Sequence, residues 1–336
     1  MSSSSRLRWG ILGAARVNER LLPAIVAAPN AELVAIASRR PEAAAETLKK
    51  YAPGTPGVSL YNHLDGLLQD PRVEAVYLPM GNDEHAEWAI KALQAGKHVL
   101  IEKPMALTVE DITASARNLK VMEGFMYRFH PQHQRVQEIV ASGVLGDLRY
   151  AHASFSFLMR PARLYRLAKD TAHGGGAMWD VGPYAIHTLR HCFGSEPIAV
   201  SAMAKYAESG ADISASGILD FGDGKRGHFD VSFECSRQSE YRIVGNKGSL
   251  ICHTVWQLPG TSDVPTISWW TDDGQKHIET YAPSNHFNLE IAHFSDCVLN
   301  NKTPLLSLQD AKANCSAIVA TLQAAASGRT VTIAAQ

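Results

Sequence analysis

Lys103 is the residue of this sequence that is most clearly suited to a chemical role. It stands in the triplet Glu102-Lys103-Pro104, directly after the apolar run 98–101. In an open α/β fold, residues that follow the carboxyl end of a parallel strand enter the ligand crevice. We therefore predict that Lys103 places an ammonium group in an active site.

Asp180 and Tyr184 form a second candidate pair. Four positions separate them, so on a helix they face the same side. The glycine run 174–176 precedes them and allows the backbone to approach a ligand or a neighbouring strand closely. As a purely structural alternative, Asp180 is a helix cap and Tyr184 a core residue.

The first third of the chain has the pattern of a parallel sheet. A buried strand at 7–12, a tight turn at 13–16 and a helix at 19–28 open the chain like a dinucleotide-binding βαβ unit. Strands and helices then alternate, which is typical of a sheet covered by helices on both faces. We predict further strands at 33–37, 75–78, 99–101 and 121–126, and helices at 42–50, 84–95 and 109–118.

Beyond residue 146 the strands lengthen and alternate apolar with polar residues, as a half-exposed antiparallel sheet does. We predict strands at 148–157, 198–205, 213–221, 227–235, 241–244 and 331–333, and helices at 136–141, 289–299 and 308–326. The predicted fold class is α/β, with an N-terminal Rossmann doubly wound domain (1–129) that binds a dinucleotide. A C-terminal α+β domain (130–336) with a large open, mainly antiparallel sheet would bind substrate. Because one face of that sheet is left uncovered by helices, we expect a homodimer or homotetramer formed through it.

Composition narrows the class of protein. The 336 residues include 32 basic and 33 acidic side chains, and a net charge of -1 gives no electrostatic reason to bind nucleic acid or an anionic membrane. No apolar stretch approaches the ~20 residues of a membrane helix, and the start lacks an apolar signal region. We expect a cytoplasmic protein with a small-molecule ligand. The 5 cysteines are scattered and lack metal-ligand spacing, which indicates reduced core thiols and no metal site.

The turn after the first strand reads Gly13-x-Ala15-x-x-Asn18, which keeps only the first glycine of the fingerprint G-x-G-x-x-G. Ala15 is small enough to preserve most of the backbone approach to a pyrophosphate. Asn18 replaces the small residue that normally lets helix pack on strand. Taken alone, the segment also fits an ordinary strand–turn–helix.

The second strand ends in Ser38-Arg39-Arg40, where an NAD-binding protein usually has an acidic residue. Two guanidinium groups and a hydroxyl suit a 2′-phosphate, because arginine forms bidentate charge-assisted bonds with phosphate oxygens. The pattern predicts NADP as the cofactor, with NAD possible but weaker. The alternative is that both arginines are solvated loop charges.

Four blocks carry a family resemblance: 10–16, 102–105, 122–128, and the glycine run 174–176 with 180–184. In this order they resemble the Gfo/Idh/MocA superfamily, to which glucose-fructose oxidoreductase and inositol dehydrogenase belong, over nearly the whole chain. Many members carry histidine where this chain has Tyr184. The chain therefore looks most like the branch with glucose-fructose oxidoreductase, dihydrodiol dehydrogenases and sugar ketoreductases.

The resemblance implies a catalytic role for Lys103, Tyr184 and Asp180. It implies a cis peptide before Pro104 that turns the lysine toward the substrate. Tyr184 would be the acid/base. Since a free tyrosine has a pKa near ~10, Lys103 would lower that pKa and hydrogen-bond the developing alkoxide. Asp180 would orient the lysine or a sugar hydroxyl.

The resemblance also places the loop 79–82 and His85 over the ribose and nicotinamide, although Asn82 and His85 fit helix caps as well. The candidate cofactor-binding residues are Gly13, Ala14, Ala15, Arg16, Val17, Ser38, Arg39, Arg40, Pro79, Asn82, His85, Glu102 and Lys103. Secondary candidates for substrate contact are Arg128, His130, Arg163, Arg166 and His187.

These residues predict hydride transfer between NADP(H) and a carbinol or carbonyl carbon of a pyranose sugar or cyclic polyol, as in an aldose 1-dehydrogenase or a ketosugar reductase. One alternative is a trans-dihydrodiol dehydrogenase, which needs an aromatic-lined, less polar pocket. Another is a non-catalytic NADP-sensing regulator on the same fold. Such regulators tend to lose the lysine or the acid/base, and this chain has both.

Overall fold

The computed structural model describes residues 5–256, 264–282 and 284–334. The chain divides into two compact units, residues 1–126 with 285–312, and residues 127–284 with 313–336. The sequence predicted a single boundary after residue 129. The first boundary lies close to that position. The segment 285–312, which was predicted to be part of the second domain, belongs to the first unit.

The strands are β1 (Leu7–Leu12), β2 (Ala31–Ala37), β3 (Ser59–Tyr61), β4 (Ala75–Leu78), β5 (His98–Glu102), β6 (Val121–Gly124), β7 (Leu148–Ser156), β8 (Ala199–Tyr206), β9 (Asp212–Asp220), β10 (Arg226–Ser232), β11 (Gln238–Gly245), β12 (Gly248–Cys252), β13 (Thr266–Thr271), β14 (Lys276–Thr280) and β15 (Val331–Thr332). The helices are α1 (Asn18–Ala27), α2 (Pro41–Tyr51), α3 (Leu64–Leu68), α4 (His85–Gln94), α5 (Glu110–Ala116), α6 (Pro131–Ala141), α7 (Ala177–Asp180), α8 (Gly182–Phe193), α9 (His286–Leu299) and α10 (Leu308–Ser327). Short 3₁₀ turns span Met126–Phe129, Pro161–Leu167 and Thr171–His173.

The first unit contains a six-stranded parallel sheet in the order β3-β2-β1-β4-β5-β6. The predicted strands and helices of this half are confirmed to within a few residues, whereas β3 and α3 had not been predicted, because both are too short for a periodic pattern to emerge. Gly10 in β1 permits close packing of α3, since a Cβ at that position would lie 2.7 Å from a Leu67 methyl group.

The return of α9 to the first unit has a clear physical cause. The indole of Trp9 is fully buried, donates to the Ser295 hydroxyl at 3.1 Å and packs against the Phe294 ring with centroids 5.4 Å apart. Asn30 also donates to the Ala292 carbonyl at 2.9 Å. A sequence pattern shows that α9 has an apolar face, but it does not show which sheet buries that face.

The second unit contains a nine-stranded sheet in the order β14-β13-β12-β11-β7-β10-β9-β8-β15. Among the described residues, the pair of β7 and β10 is parallel and every other neighbouring pair is antiparallel. The expectation of a large, mainly antiparallel sheet is confirmed, although β12, β13 and β14 had not been predicted. One face of the sheet is buried and the other is exposed. Leu219, Ala151 and Ile243 lie in one row across β9, β7 and β11 and are buried, whereas their sequence neighbours Ile218 and Arg242 are exposed.

The helical segment that carries Asp180 and Tyr184 is interrupted, contrary to the single helix assumed from their spacing. Asp180 ends α7 and α8 starts at Gly182, with Val181 at φ -113° between them. Pro183 lies in the first turn of α8, where its missing N–H costs nothing, but it cannot continue a helix that arrives from α7.

The start of α7 is held by a buried carboxylate from β9. Asp212 is fully buried and accepts a hydrogen bond from the Met178 backbone N–H at 2.8 Å. Gly176 has φ +105°, and a Cβ there would lie 2.0 Å from an Asp212 oxygen, so this approach requires glycine.

The cysteines are free, and Cys192, Cys252, Cys297 and Cys315 are buried as expected. Cys235 is exposed, which corrects the expectation that all five are core thiols. Along the described ranges of the chain, no helix combines the length and the apolar character needed to cross a membrane.

The Asp212 carboxylate makes the stability of the second unit depend on pH. Burial raises its pKa to about 6, although backbone N–H groups counteract part of that effect. A carboxyl with a raised folded-state pKa stabilises the fold at low pH, and this contribution is lost as the pH rises through about 6. Relative to Asp212→Asn, the free energy of unfolding of the wild type should fall by about 2–3 kcal/mol between pH 4 and pH 7.

Urea unfolding at a series of pH values measures this difference. Asp220→Asn makes the same substitution at an exposed carboxyl on the other end of β9 and serves as the control. A difference between wild type and Asp212→Asn that stays constant over the pH range would contradict the prediction.

Candidate functional site

The first unit has a cavity of about 380 Å³ at the carboxyl ends of β1, β2 and β4. Its lining brings together many of the residues predicted to bind a cofactor. It is lined by Gly13, Ala14, Ala15, Ser38, Arg39, Arg40, Leu64, Pro79, Met80, Gly81 and Glu84. Arg16 and Val17 continue the turn without lining the cavity, and the exposed Arg16 lies 3.9 Å from the Glu19 carboxylate.

The turn after β1 has the shape that a close backbone approach requires. Gly13 has φ +131°, a conformation that side-chain-bearing residues rarely adopt, and its N–H donates to the Ala37 carbonyl at 2.9 Å. The fully buried Asn18 donates its side-chain amide to the Gly13 carbonyl at 2.9 Å. The departure from the glycine fingerprint is therefore accommodated, because Asn18 fixes the turn by a hydrogen bond.

Ser38, Arg39 and Arg40 surround one end of the cavity. Ser38 is buried, and its hydroxyl accepts the Arg40 backbone N–H at 3.1 Å. Arg40 extends toward the Ala14 carbonyl at 3.5 Å. Arg39 is bound by Glu84, with Nη1 to Oε1 at 2.6 Å and Nη2 to Oε2 at 3.0 Å. These side chains can bind a phosphate at the rim of the cavity.

His85 connects two loops of the first unit. Its ring is 1% exposed, with Nδ1 2.7 Å from the Pro104 carbonyl oxygen and Nε2 3.1 Å from the Met80 carbonyl oxygen. Burial lowers its pKa, and the Lys103 charge adds to that effect against the two carbonyls. The neutral ring has one N–H, so it donates to only one of the two carbonyls at a time, and it packs between the loop of Lys103 and the loop 79–82.

Lys103 follows β5 as predicted, and the Lys103–Pro104 peptide is cis. Glu102, the last residue of β5, accepts a short hydrogen bond from the Tyr77 hydroxyl. The fully buried Glu290 in α9 has its pKa raised well above the ordinary value by burial and then by the Glu102 charge. The raised pKa of Glu290 favours its neutral form near Glu102, which limits the negative charge at this edge of the sheet.

In the second unit, Asp180 forms an ion pair with Arg166. The Asp180 side chain is nearly buried, and Arg166 extends to it from the 3₁₀ turn 161–167. Burial lowers the pKa of Arg166, but the Asp180 charge together with contributions from Tyr165 and Tyr184 outweighs that effect, and the net shift is upward. From the sequence, Arg166 was a candidate for substrate contact, and Asp180 was expected to orient Lys103 or a sugar hydroxyl. The structure assigns Asp180 a charge partner within its own unit.

Tyr184 lies in an aromatic cluster. Its ring is 7% exposed, with centroids 5.5 Å from Phe155, 6.1 Å from Tyr127 and 6.2 Å from Trp256. Phe155 and Trp256 are themselves stacked at 4.9 Å. This cluster fixes the plane of the tyrosine ring, because its neighbours approach from several directions.

His187 lies within a buried hydrogen-bond network behind this cluster. Its Nδ1 is 2.6 Å from the Tyr127 hydroxyl, which also accepts from the Thr188 hydroxyl at 3.0 Å. Arg128 lies at 3.5 Å from Nε2 of His187. The network is placed to support the aromatic cluster, and His187 itself is only 1% exposed.

Two other secondary candidates, His130 and Arg163, make contacts within the second unit. His130 is fully buried, accepts the Gln132 N–H at the start of α6, and burial lowers its pKa to about 4. It is therefore a neutral helix cap, which explains why a histidine occurs there. Arg163 packs its guanidinium over the Phe157 ring at 5.1 Å.

Several residues of these sites were not predicted. Glu84 was included only as the first residue of a predicted helix, and Tyr127 only as part of a block of family resemblance. Phe155 and Trp256 had no signal, since single aromatic residues in strands and loops usually mark a core. In the described segments no group of three or more His, Cys, Asp or Glu residues has the geometry to hold a metal ion.

Comparisons with known proteins agree with this architecture. Residues 7–125 match the oxidoreductase family with an NAD-binding Rossmann fold, and residues 133–251 match the GFO/IDH/MocA C-terminal domain. D-xylose 1-dehydrogenase (NADP(+)) 2 of Haloferax volcanii is 30% identical over 334 residues, which cover 97% of this chain and 99% of that protein. Mouse trans-1,2-dihydrobenzene-1,2-diol dehydrogenase is 32% identical over 258 residues, covering 74% and 75%.

A crystal structure of KijD10, a 3-ketoreductase from Actinomadura kijaniata in complex with NADP and TDP-benzene, superimposes with a TM-score of 0.86. The two chains are 29% identical, and the match covers 95% of this chain and 98% of that one. Both halves of the chain match the same family in the expected order. This protein belongs to the Gfo/Idh/MocA family of oxidoreductases.

Proposed function

We propose that this protein is an NADP(H)-dependent oxidoreductase that transfers a hydride between the nicotinamide and a carbinol or carbonyl carbon of a pyranose sugar or cyclic polyol. The observation that carries the cofactor assignment is the cavity rimmed by Ser38, Arg39 and Arg40. The sugar assignment is supported by the relatives that act on xylose and on ketosugars.

The first unit fits such a cofactor. Gly13, with its positive φ, allows the backbone of the turn to approach a pyrophosphate, and Ala14 and Ala15 keep that part of the cavity open. At the other side, Ser38 and Arg40 present a hydroxyl and a guanidinium to a 2′-phosphate. Pro79 and Met80 line the same cavity and give it an apolar wall.

The bound cofactor supplies or accepts the hydride. We propose that Tyr184 donates its phenolic proton to the carbonyl oxygen during reduction and removes the hydroxyl proton during oxidation. Lys103 stabilises negative charge on the oxygen that gains or loses the proton. Asp180 and Arg166, as an ion pair, offer an acceptor and donors to substrate hydroxyl groups.

The aromatic cluster around Tyr184 favours a second candidate, a trans-dihydrodiol dehydrogenase, because Phe155 and Trp256 provide apolar surface. The Asp180–Arg166 pair favours the sugar. Turnover of NADP⁺ with a panel of aldoses, cyclic polyols and a trans-dihydrodiol discriminates between the two. Activity confined to the dihydrodiol would overturn the sugar proposal.

Preference for NADP should depend on Arg39. Arg39→Ala should weaken NADPH binding by one to two orders of magnitude, equivalent to roughly 1.5–3 kcal/mol for hydrogen bonds to a charged group, and leave NADH binding nearly unchanged. Cofactor fluorescence titration measures both. Arg8→Ala is the matched control, because Arg8 pairs with Glu74 at 3.0 Å near the amino end of β1. Equal affinities of the wild type for the two cofactors would refute the preference.

Proton transfer should depend on Tyr184. Tyr184→Phe should reduce kcat by roughly 10²–10⁴-fold, as removal of a general acid/base does, while NADPH still binds. Lys103→Ala should be comparably damaging, and the double variant should be scarcely worse than either single one, because groups that act as a unit are not additive. The rate of oxidation by the wild type should rise with pH as the phenolate forms.

Steady-state kinetics across pH test this assignment, with Tyr206→Phe at the end of β8 as the same chemical change outside the aromatic cluster. Substantial activity of Tyr184→Phe with an unchanged pH profile would instead assign proton transfer to Lys103 or His187.

We further propose that the protein assembles as a homodimer or homotetramer through the open face of the nine-stranded sheet. That face exposes Met203 (77%) and Ile218 (41%) on adjacent strands. Light scattering at micromolar concentration should show two or four chains per particle. Charged substitutions at both positions, Met203→Asp with Ile218→Asp, should shift the mass to one chain, while Val26→Asp, at an exposed position in α1, should not. A wild type that is already monomeric would refute this.

A further inference from the structure

Glu84 is an acidic side chain on the wall of a cavity whose other charged groups are basic. It directly precedes α4 and lines the cavity together with Arg39 and Arg40. Its backbone is fixed, because the Glu84 N–H donates to the Gly81 carbonyl at 2.9 Å and the Glu84 carbonyl accepts from Trp88 at 3.2 Å. Neither the sequence motifs nor the proposed chemistry assigns this carboxylate a role.

The carboxylate occupies the two nitrogens of Arg39 that a phosphate would use. Both of its oxygens contact the terminal guanidinium nitrogens, at 2.6 and 3.0 Å, which is a bidentate arrangement. A phosphate is bound by arginine in the same bidentate manner. The same pair of donors cannot serve a carboxylate and a phosphate at full strength together.

The contact between Glu84 and Arg39 is exchangeable. The Arg39 side chain is 64% exposed and the Glu84 side chain 29%, and ion pairs at such exposed positions contribute little stability. Arg39 can therefore turn to an incoming phosphate. Glu84 then stays in the cavity wall without its positive partner. Its negative charge lies close to that of the phosphate, which is unfavourable.

We propose that Glu84 is a selectivity-determining residue of the cofactor cavity, whose carboxylate competes with the 2′-phosphate of NADP for Arg39. It thereby holds the preference for NADP below the level that Ser38, Arg39 and Arg40 would give without it. NAD carries a neutral 2′-hydroxyl and meets no such competition. This inference rests on the cofactor assignment made under the proposed function.

If the contact between Glu84 and Arg39 had a positioning role instead, the change in NADPH affinity would have the opposite sign. If Glu84 served to hold the Arg39 guanidinium in place for the phosphate, its removal would weaken NADPH binding. The backbone around Arg39 is already ordered without Glu84, because Ser38 accepts the Arg40 N–H and donates its own N–H to the Tyr61 carbonyl at 3.0 Å. Competition is therefore the role that the contacts favour.

Fluorescence titration of NADPH and NADH with Glu84→Gln tests the proposal by binding alone. Glu84→Gln should tighten NADPH binding roughly three- to fivefold, the size of one partly exposed charge–charge contact, and change NADH binding less than about twofold. Glu84→Ala should behave in the same way. In an Arg39→Ala background, Glu84→Gln should tighten NADPH binding less than it does in the wild type, since the competition for Arg39 is gone and only the direct repulsion between Glu84 and the phosphate remains.

Glu87→Gln is the matched control, because it removes the same charge three positions further along the chain, at a carboxylate whose ion-pair partner is Lys91 at 2.6 Å. Calorimetry with adenosine 2′-monophosphate and adenosine 5′-monophosphate locates the effect, which should appear with the 2′-phosphate alone. Unchanged or weaker NADPH binding by Glu84→Gln, while the wild type binds NADPH, overturns this inference and leaves the proposed function standing. A wild type that binds neither dinucleotide overturns both.

Discussion

The common direction of the six strands in the first unit is the constraint on which its binding site depends. In a parallel sheet all carboxyl ends lie at one edge, and here the register pairs Leu12 with Ala37 and Ile11 with Tyr77. The residues that follow these strands, Gly13 and Ser38 among them, therefore meet at the cavity although more than twenty positions separate them in sequence. Each of these short loops contributes one part of the lining, and none forms a site alone.

Glu84 and His85 show how one helix start serves two purposes. Neighbouring residues at the beginning of a helix point in directions about 100° apart, so Glu84 faces the cavity while His85 is buried between two carbonyls. Both are ionisable, yet burial keeps His85 neutral and partial exposure leaves Glu84 within reach of Arg39. The same short segment thus contacts the loop of Lys103 and contributes an acidic charge to the cavity.

The second unit contains two buried carboxylates that are compensated in different ways. Asp180 is opposed by a full positive charge on Arg166, whereas among the described residues Asp212 is opposed by backbone N–H groups, and burial then raises the pKa of Asp212. A full charge compensates for lost hydration more effectively than backbone dipoles do. Both carboxylates hold the helical segment that carries Tyr184, and the aromatic neighbours of Tyr184 fix its ring. Rigid support of this kind is what the proposed role of Tyr184 as a proton donor requires.

The sequence by itself determined the fold class and the order of most strands and helices. It also determined the turn at Gly13 and the segment 38–40 after β2, because these features depend on local patterns of residue type. The short elements β3 and α3 escaped detection, since a few residues carry no measurable period. Only the tertiary structure decided that α9 returns to the first unit, that Asp180 pairs with Arg166, and that Glu84 binds Arg39. Each of these depends on a contact between residues distant in the chain. The sequence shows that an apolar face must be buried or that a charge needs a partner, but it does not show which residues provide the contact.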